Sequence, residues 1–233
     1  MRRPAVPSGV PAARDRATHA VGRLRTEPFW QGQAALLGAV ILYLSLPGKF
    51  VVGPVWLMPV LELLLIGGLW LDRPREERRN ERRERAIAVG LLALVAASNL
   101  LSLELLVHDL LKGGLKAGGH QLILSAVVIW LTNVVVFALW FWEIDRGGPD
   151  RRARDPDAPA DFWFPHMSEP ASHPGWAPNF VDYLYLSYTN STALSPTDTM
   201  PMTTRVKLLM MGQSITSLIT VLLVASRAVN ILH

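Results

Sequence analysis

The 233-residue chain contains no cysteine, which excludes disulfides, thiol nucleophiles and cysteine-based metal centres and leaves its redox compartment unmarked. Lysine is scarce too, with four against nineteen arginines. The motifs of the common enzyme classes are missing: there is no Gly-x-Ser-x-Gly elbow, no His-Glu-x-x-His pair, no phosphate-cradling glycine loop and no dinucleotide fingerprint. Ser102, His108 and Asp109 match a nucleophile set by type alone, because Ser102 and His108 fall on different sides of a helix. No catalytic residue, cofactor or metal is therefore expected.

What the chain does have is apolar length. Half of its residues are hydrophobic, and several uninterrupted runs approach the roughly 20 residues that a helix needs to cross a bilayer. The expected fold class is an all-α membrane protein, with about five transmembrane helices and a short re-entrant or pore-like helix before the last. Spans are expected at about 29–46, 55–71, 86–107 and 122–142, before a final apolar stretch near the C-terminus. Residues 1–28, with six arginines and little apolar periodicity, read as a disordered tail. Segment 72–85, with seven arginines and five acids, reads as a charged helix outside the hydrocarbon.

The basic residues cluster between the spans, which is the pattern of cytoplasmic loops over anionic lipid and not of a nucleic-acid binder. Arg-, Ala- and Leu-rich usage points to a bacterial inner membrane with the N-terminus in the cytoplasm. Four domains follow: the tail 1–28, a four-helix transmembrane region 29–145, a Pro/Trp-rich linker 146–178 and a C-terminal module 179–233. The linker holds six prolines and two tryptophans within 155–178 and is expected to lie along the interface or cover the bundle. Its His166 and His173 match no strong metal-ligand spacing.

The C-terminal module has a distinctive order of parts. Tyr185 to Tyr188 form a short aromatic helix, Thr192, Ala193, Leu194, Ser195, Pro196, Thr197 and Asp198 follow, and Pro201-Met202-Thr203 turns into a long apolar helix ending near Val224-Ala225-Ser226-Arg227. This order resembles the pore domain of two-helix bacterial potassium channels. The resemblance covers roughly the last quarter of the chain and implies a pore helix, a filter, an inner helix and several copies around an axis. The filter departs from the family. Where the family has Thr-Val-Gly-Tyr-Gly, this chain has Ala193-Leu194-Ser195-Pro196-Thr197, and the glycines are replaced by Ser195 and Thr197. A ladder of filter carbonyls needs backbone angles that β-branched Thr197 resists, and Pro196 fixes φ and removes an N–H.

A pore-like segment lined by Thr189, Asn190, Ser191 and Thr192 is one reading of the stretch. The other is a helix-turn-helix joint, in which Ser195-Pro196-Thr197-Asp198 is a capping box and Pro201 opens the last helix. Residues 179–196 either re-enter or cross completely.

Polar groups inside spans are the remaining site candidates. Glu62 lies in mid-span and needs a proton, a partner or a water-filled cavity. Asn99 and Asn133 are its candidate partners by depth. Gln213, Ser217, Thr220 and Arg227 recur at helical spacing on the last helix, to line a pore or to face neighbouring helices. Glu104 and His108 share a helix face and read as a solvated rim with Asp109. The expected function is a channel-like or transport role with poor potassium selectivity, or alternatively that of a non-conducting scaffold or accessory subunit. Expected partners are the lipid bilayer, an ion and further copies of the chain.

Segments 1–28 and 72–85 carry thirteen of the nineteen arginines, so a reporter fused at Asn80 should give a cytoplasmic signal. A periplasmic signal there would overturn the span assignment.

Overall fold

The computed structural model describes residues 30–46, 60, 81–111, 119–192 and 198–231. They are mostly helical: α1 (Trp30–Leu44), α2 (Glu81–Leu111), α3 (Gly119–Ile144), the short α4 (Pro149–Arg154), α5 (Phe180–Thr192) and α6 (Thr204–Ile231). Three stretches are long and apolar enough to cross a membrane: Arg85–His108, Gln121–Gly147 and Thr204–Ser226. The first expected span forms only the shorter α1, and the second, 55–71, lies outside the described residues together with Glu62.

α3 is the central helix. Of its apolar window 61% is buried, against 33% for α2 and 22% for α6, so the other helices pack around it. On one side Leu103 and Leu106 of α2 join Leu122, Ala126 and Ile129 of α3 in a core that also takes in Tyr43. Towards the C-terminal end of α3, Phe141 and Trp142 meet Phe162, Phe164, Phe180 and Tyr183 in a second core.

That C-terminal end is where the chain is tied together. α3 stops because Arg146, Gly147 and Gly148 all take positive φ, a conformation that glycine adopts freely and that ends the helical ladder. Arg146 is held there by its own bonds: its N–H donates to Asp161 Oδ2 (3.2 Å) and its Nη1 to the Pro156 carbonyl (2.8 Å). The last carbonyls of a helix lack intrahelical donors and carry partial negative charge. Three arginines supply donors to them. Arg152 Nη1 donates to the carbonyls of Trp142 and Asp145, both at 3.0 Å, and Arg85 and Arg205 converge on that of Ile144 at 3.2 and 3.4 Å.

The buried carboxylates Asp145 and Asp161 complete the knot, with Glu143 also buried at this end of α3. Asp145 Oδ1 accepts the backbone N–H of Asp161 (2.8 Å) and of Phe162 (3.3 Å), and its Oδ2 accepts the Tyr183 hydroxyl (2.6 Å). Asp161 Oδ1 accepts Thr203 Oγ1 (2.7 Å) and Arg205 Nε (2.8 Å), while Arg205 Nη2 pairs with its Oδ2. Burial alone would raise the Asp161 carboxyl, but the hydrogen bonds from Arg205 and Thr203 and the Arg205 charge outweigh it and hold the group below the usual carboxylate range.

The linker is therefore folded into the structure. Phe162 and Phe164 are buried, and the Tyr183 ring meets them at 6.3 and 5.4 Å under the Arg152 guanidinium. Among the described residues the helices are joined by one antiparallel pair of two-residue strands, β1 (Phe162–Trp163) and β2 (Met200–Pro201). Pro201 consequently does not open the last helix. It pairs opposite Phe162, the N–H of Met202 goes to the Asp161 carbonyl (2.8 Å), and α6 starts at Thr204.

Tyr183→Phe keeps the ring packing and removes the donor to Asp145 Oδ2. It should destabilise the fold by about 1–3 kcal/mol, the cost of a buried acceptor left unpaired. Thermal unfolding in detergent checks this, and an unchanged midpoint would mean that the bond contributes nothing.

Candidate functional site

α5 begins at Phe180 because Asn179 and Asp182 cap it reciprocally. Asn179 Oδ1 accepts the Val181 N–H (2.9 Å), and Asp182 Oδ2 accepts the Asn179 N–H (2.7 Å). This first turn lies against the end of α3, with Phe180 on Trp142 (6.1 Å) and Tyr183 on Asp145. The last turn lies roughly halfway along α3. Ser187 Oγ donates to the Val134 carbonyl (2.6 Å), and Trp130 Nε1 reaches the Ser191 carbonyl at 3.5 Å. Eleven residues of helix rise about 16 Å, which accounts for this difference in level.

At that level α3, α5 and α6 share a buried polar core with Gln213 at its centre. Gln213 is fully buried. Its Nε2 donates to Ser187 Oγ (2.6 Å), Ser191 Oγ (2.7 Å) and the Ser187 carbonyl (3.1 Å), so one of its two N–H groups is shared. Its Oε1 accepts Asn190 Nδ2 (2.7 Å), which also donates to the Met210 carbonyl (3.0 Å). Ser214 Oγ donates to Asn190 Oδ1 (3.1 Å). Asn133 Nδ2 closes the group on α3 by donating to Ser217 Oγ (2.9 Å) and to the Gln213 carbonyl (3.3 Å). In hydrocarbon no water completes such groups, so they must satisfy one another.

The sequence candidates separate accordingly. Asn133, Gln213 and Ser217 come together. Thr220 is buried, but its hydroxyl bonds back to the Thr216 carbonyl of its own helix (2.8 Å). Asn99 belongs to a different seam, donating from α2 to the Ile129 carbonyl (3.2 Å). Thr192 Oγ1 bonds to the Thr189 carbonyl (2.9 Å), and Asp198 is exposed. Ala193, Leu194, Ser195, Pro196 and Thr197 lie outside the described residues, as Glu62 does. Glu104 and His108 are exposed.

Of the polar stripe of α6, Gln213 faces α5 and Ser217 faces α3, while the Arg227 side chain lies outside the described residues. The exposed side of α6 includes Leu208, Met211, Ile215, Leu218 and Leu222. Asn190 and Ser191, read from the sequence as lining groups, turn to Gln213. His166 and His173 stand 4.7 Å apart between ring centres, with His166 stacked on Trp176, and the described residues hold no group of three or more metal-ligating side chains.

Sequence reasoning missed the Asp145, Asp161, Tyr183 and Arg205 knot and the role of Ser187. One signal was available: Tyr183, Ser187 and Ser191 recur every four residues, a polar stripe on a helix otherwise rich in Leu and Tyr. Comparison with family models, with curated proteins and with solved structures finds no match.

Gln213→Leu should destabilise the protein by roughly 2 kcal/mol, since hydrogen bonds between membrane helices average about 0.6 kcal/mol each and Gln213 also leaves buried partners behind. Thr220→Ala, which removes a bond within one helix, should stay within about 0.5 kcal/mol. Unfolding of both variants in the same detergent provides the comparison, and equal losses would contradict a central role for Gln213.

Proposed function

We propose that this chain is a polytopic bacterial inner-membrane protein whose C-terminal module is channel-like, conducting small cations with little preference for potassium. The observation that carries this reading is the setting of α5. Its first turn rests on the arginine-capped end of α3, and its last turn lies halfway along that helix. The following chain is back at the arginine-capped end by Thr203 and Arg205, both bonded to Asp161. A helix that ends at mid-depth, followed by a return to its starting level, is the form of a re-entrant pore segment. α5 then takes the place of a pore helix, α3 that of an outer helix and α6 that of an inner helix.

On this reading the arginine-capped end is cytoplasmic, since Arg85, Arg146, Arg151, Arg152, Arg154, Arg205 and Lys207 all lie at or next to it. The pore loop enters from the cytoplasm, which is inverted relative to the potassium channels that the module resembles. Positions 193–197, which lie outside the described residues, stand in the sequence where the family has its filter, and several copies around an axis are needed to enclose a path. Selectivity for potassium is not expected, because Ser195-Pro196-Thr197 lacks the glycines of a carbonyl ladder.

A second reading is favoured by one observation. Gln213 finds all its hydrogen bonds within the chain, as glue between helices does. On that reading the module keeps its shape as a non-conducting scaffold.

The test is cation flux in liposomes. Comparable potassium and sodium flux is expected from the wild type, and Glu62→Gln should keep the fold while reducing flux if the mid-span carboxyl takes part. A strong potassium preference would refute the filter argument. Absence of any flux would favour the scaffold.

A further inference from the structure

The proline-rich linker brings its two histidines together in a way that their spacing does not announce. After the short 3-10 turn Pro165–Ser168, the Ser172 N–H donates to the Glu169 carbonyl (3.1 Å) and the Trp176 N–H to the His173 carbonyl (3.2 Å), so the chain folds back on itself. Gly175 takes φ +72° within the second of these turns, a conformation open to glycine without strain. His166 and His173 consequently stand with ring centres 4.7 Å apart and planes at 76°.

Two details distinguish this pair from aromatic packing alone. The Nδ1 of His166 is buried and has no hydrogen-bond partner. A buried polar nitrogen left in that state costs free energy that a phenylalanine in the same place would not. The His166 ring is also stacked on Trp176, 4.6 Å between centres with the planes 15° apart, which holds the imidazole in one plane. Trp176 rests on Phe164 at 5.6 Å, and Phe164 on Tyr183. His173 is exposed, so its ring can turn without disturbing that layer and leaves the pair open to solvent on one side.

Metal–nitrogen bonds near 2.0–2.1 Å place two imidazoles in neighbouring positions of one ion with ring centres about 4.5–5 Å apart. The pair already has this separation. We infer that His166 and His173 bind a divalent transition ion of the copper, nickel and zinc class, with His166 Nδ1 and one nitrogen of His173 as protein ligands and water in the remaining positions. The chain offers no thiolate, and the described residues hold no group of three or more ligating side chains. Imidazole nitrogen suits these ions, whereas calcium and magnesium take oxygen ligands. A metal-bound imidazole is electron-poor, and the π-face of Trp176 favours such a ring. Bound there, the ion ties the linker turn together and fastens its aromatic layer over Tyr183. The site lies outside the candidate spans and does not depend on conduction.

The test uses the full chain in detergent, purified through a tag without histidine and stripped with chelator. Cupric chloride is the first probe, because copper binds nitrogen most strongly in the divalent series. Calorimetry should give one ion per chain, and the electron paramagnetic resonance spectrum at one equivalent should show coupling to two imidazole nitrogens. Tryptophan fluorescence should fall on binding and recover with chelator, and it should fall less in Trp176→Phe, which keeps the stacking. His166→Phe and His173→Gln should each weaken binding about 10-fold or more, whereas His108→Gln on α2 should leave it unchanged. Zinc chloride should raise the unfolding temperature of the wild type by a few degrees and leave that of His173→Gln where it was.

His173 is exposed, so His173→Gln decides alone if His166→Phe does not fold. Failure of the wild type to take up copper saturably overturns the inference. A spectrum with one nitrogen, or wild-type affinity in His173→Gln, means adventitious binding at a single surface histidine and overturns it as well. An equal zinc shift in wild type and His173→Gln places the ion elsewhere, with the same consequence.

Discussion

The structure depends on how one helix end is neutralised. α3 finishes in a turn of left-handed backbone with its last carbonyls unpaired, and Arg85, Arg152 and Arg205 reach them from three other elements. Guanidinium groups suit this task because they stay charged and donate in a fixed fork. The positive charges collected there call for buried carboxylates beside them, and Asp145 and Asp161 use their remaining lone pairs on backbone N–H groups and hydroxyls. Removal of Tyr183 takes the hydroxyl donor from Asp145 Oδ2, and removal of Arg205 takes the guanidinium from Asp161. α2, α4, α5 and α6 are therefore located by their bonds to a single point.

The polar core halfway along α3 obeys a different rule. Apolar packing does little to tell one membrane helix from another, because lipid tails are as apolar as leucine. Gln213, Asn133, Asn190, Ser187 and Ser191 supply what the apolar contacts lack, a fixed rotation and height for α5 and α6 against α3. The capped end fixes where α5 starts, and the core fixes where it points.

The three long apolar helices were legible in the sequence, because long apolar runs between arginine-rich connections follow directly from the cost of placing charge in hydrocarbon. Asn133, Gln213 and Ser217 were recognisable as polar groups in apolar helices. That they meet was not, since the meeting depends on α5, whose sequence reads equally as a pore-like segment and as one arm of a helix-turn-helix joint. The knot at the end of α3 was invisible for a related reason. Asp161 sits in a proline-rich stretch that resembles a linker, and its partners Thr203 and Arg205 lie about forty residues further on. Pro201 misled because proline suits both the first turn of a helix and a strand position that needs no donor.

The sequence distances within the knot bear on how the protein is made. Asp145 and Arg152 leave the ribosome early, whereas Tyr183, Thr203 and Arg205 follow tens of residues later. Until the first turn of α6 has been synthesised, the end of α3 holds acids and arginines whose partners do not yet exist. Solvent must serve them meanwhile. Formation of α3 and its final docking are thus separate events, and a nascent chain stalled or truncated before Arg205 would present quality-control proteases with a helical but unlatched bundle.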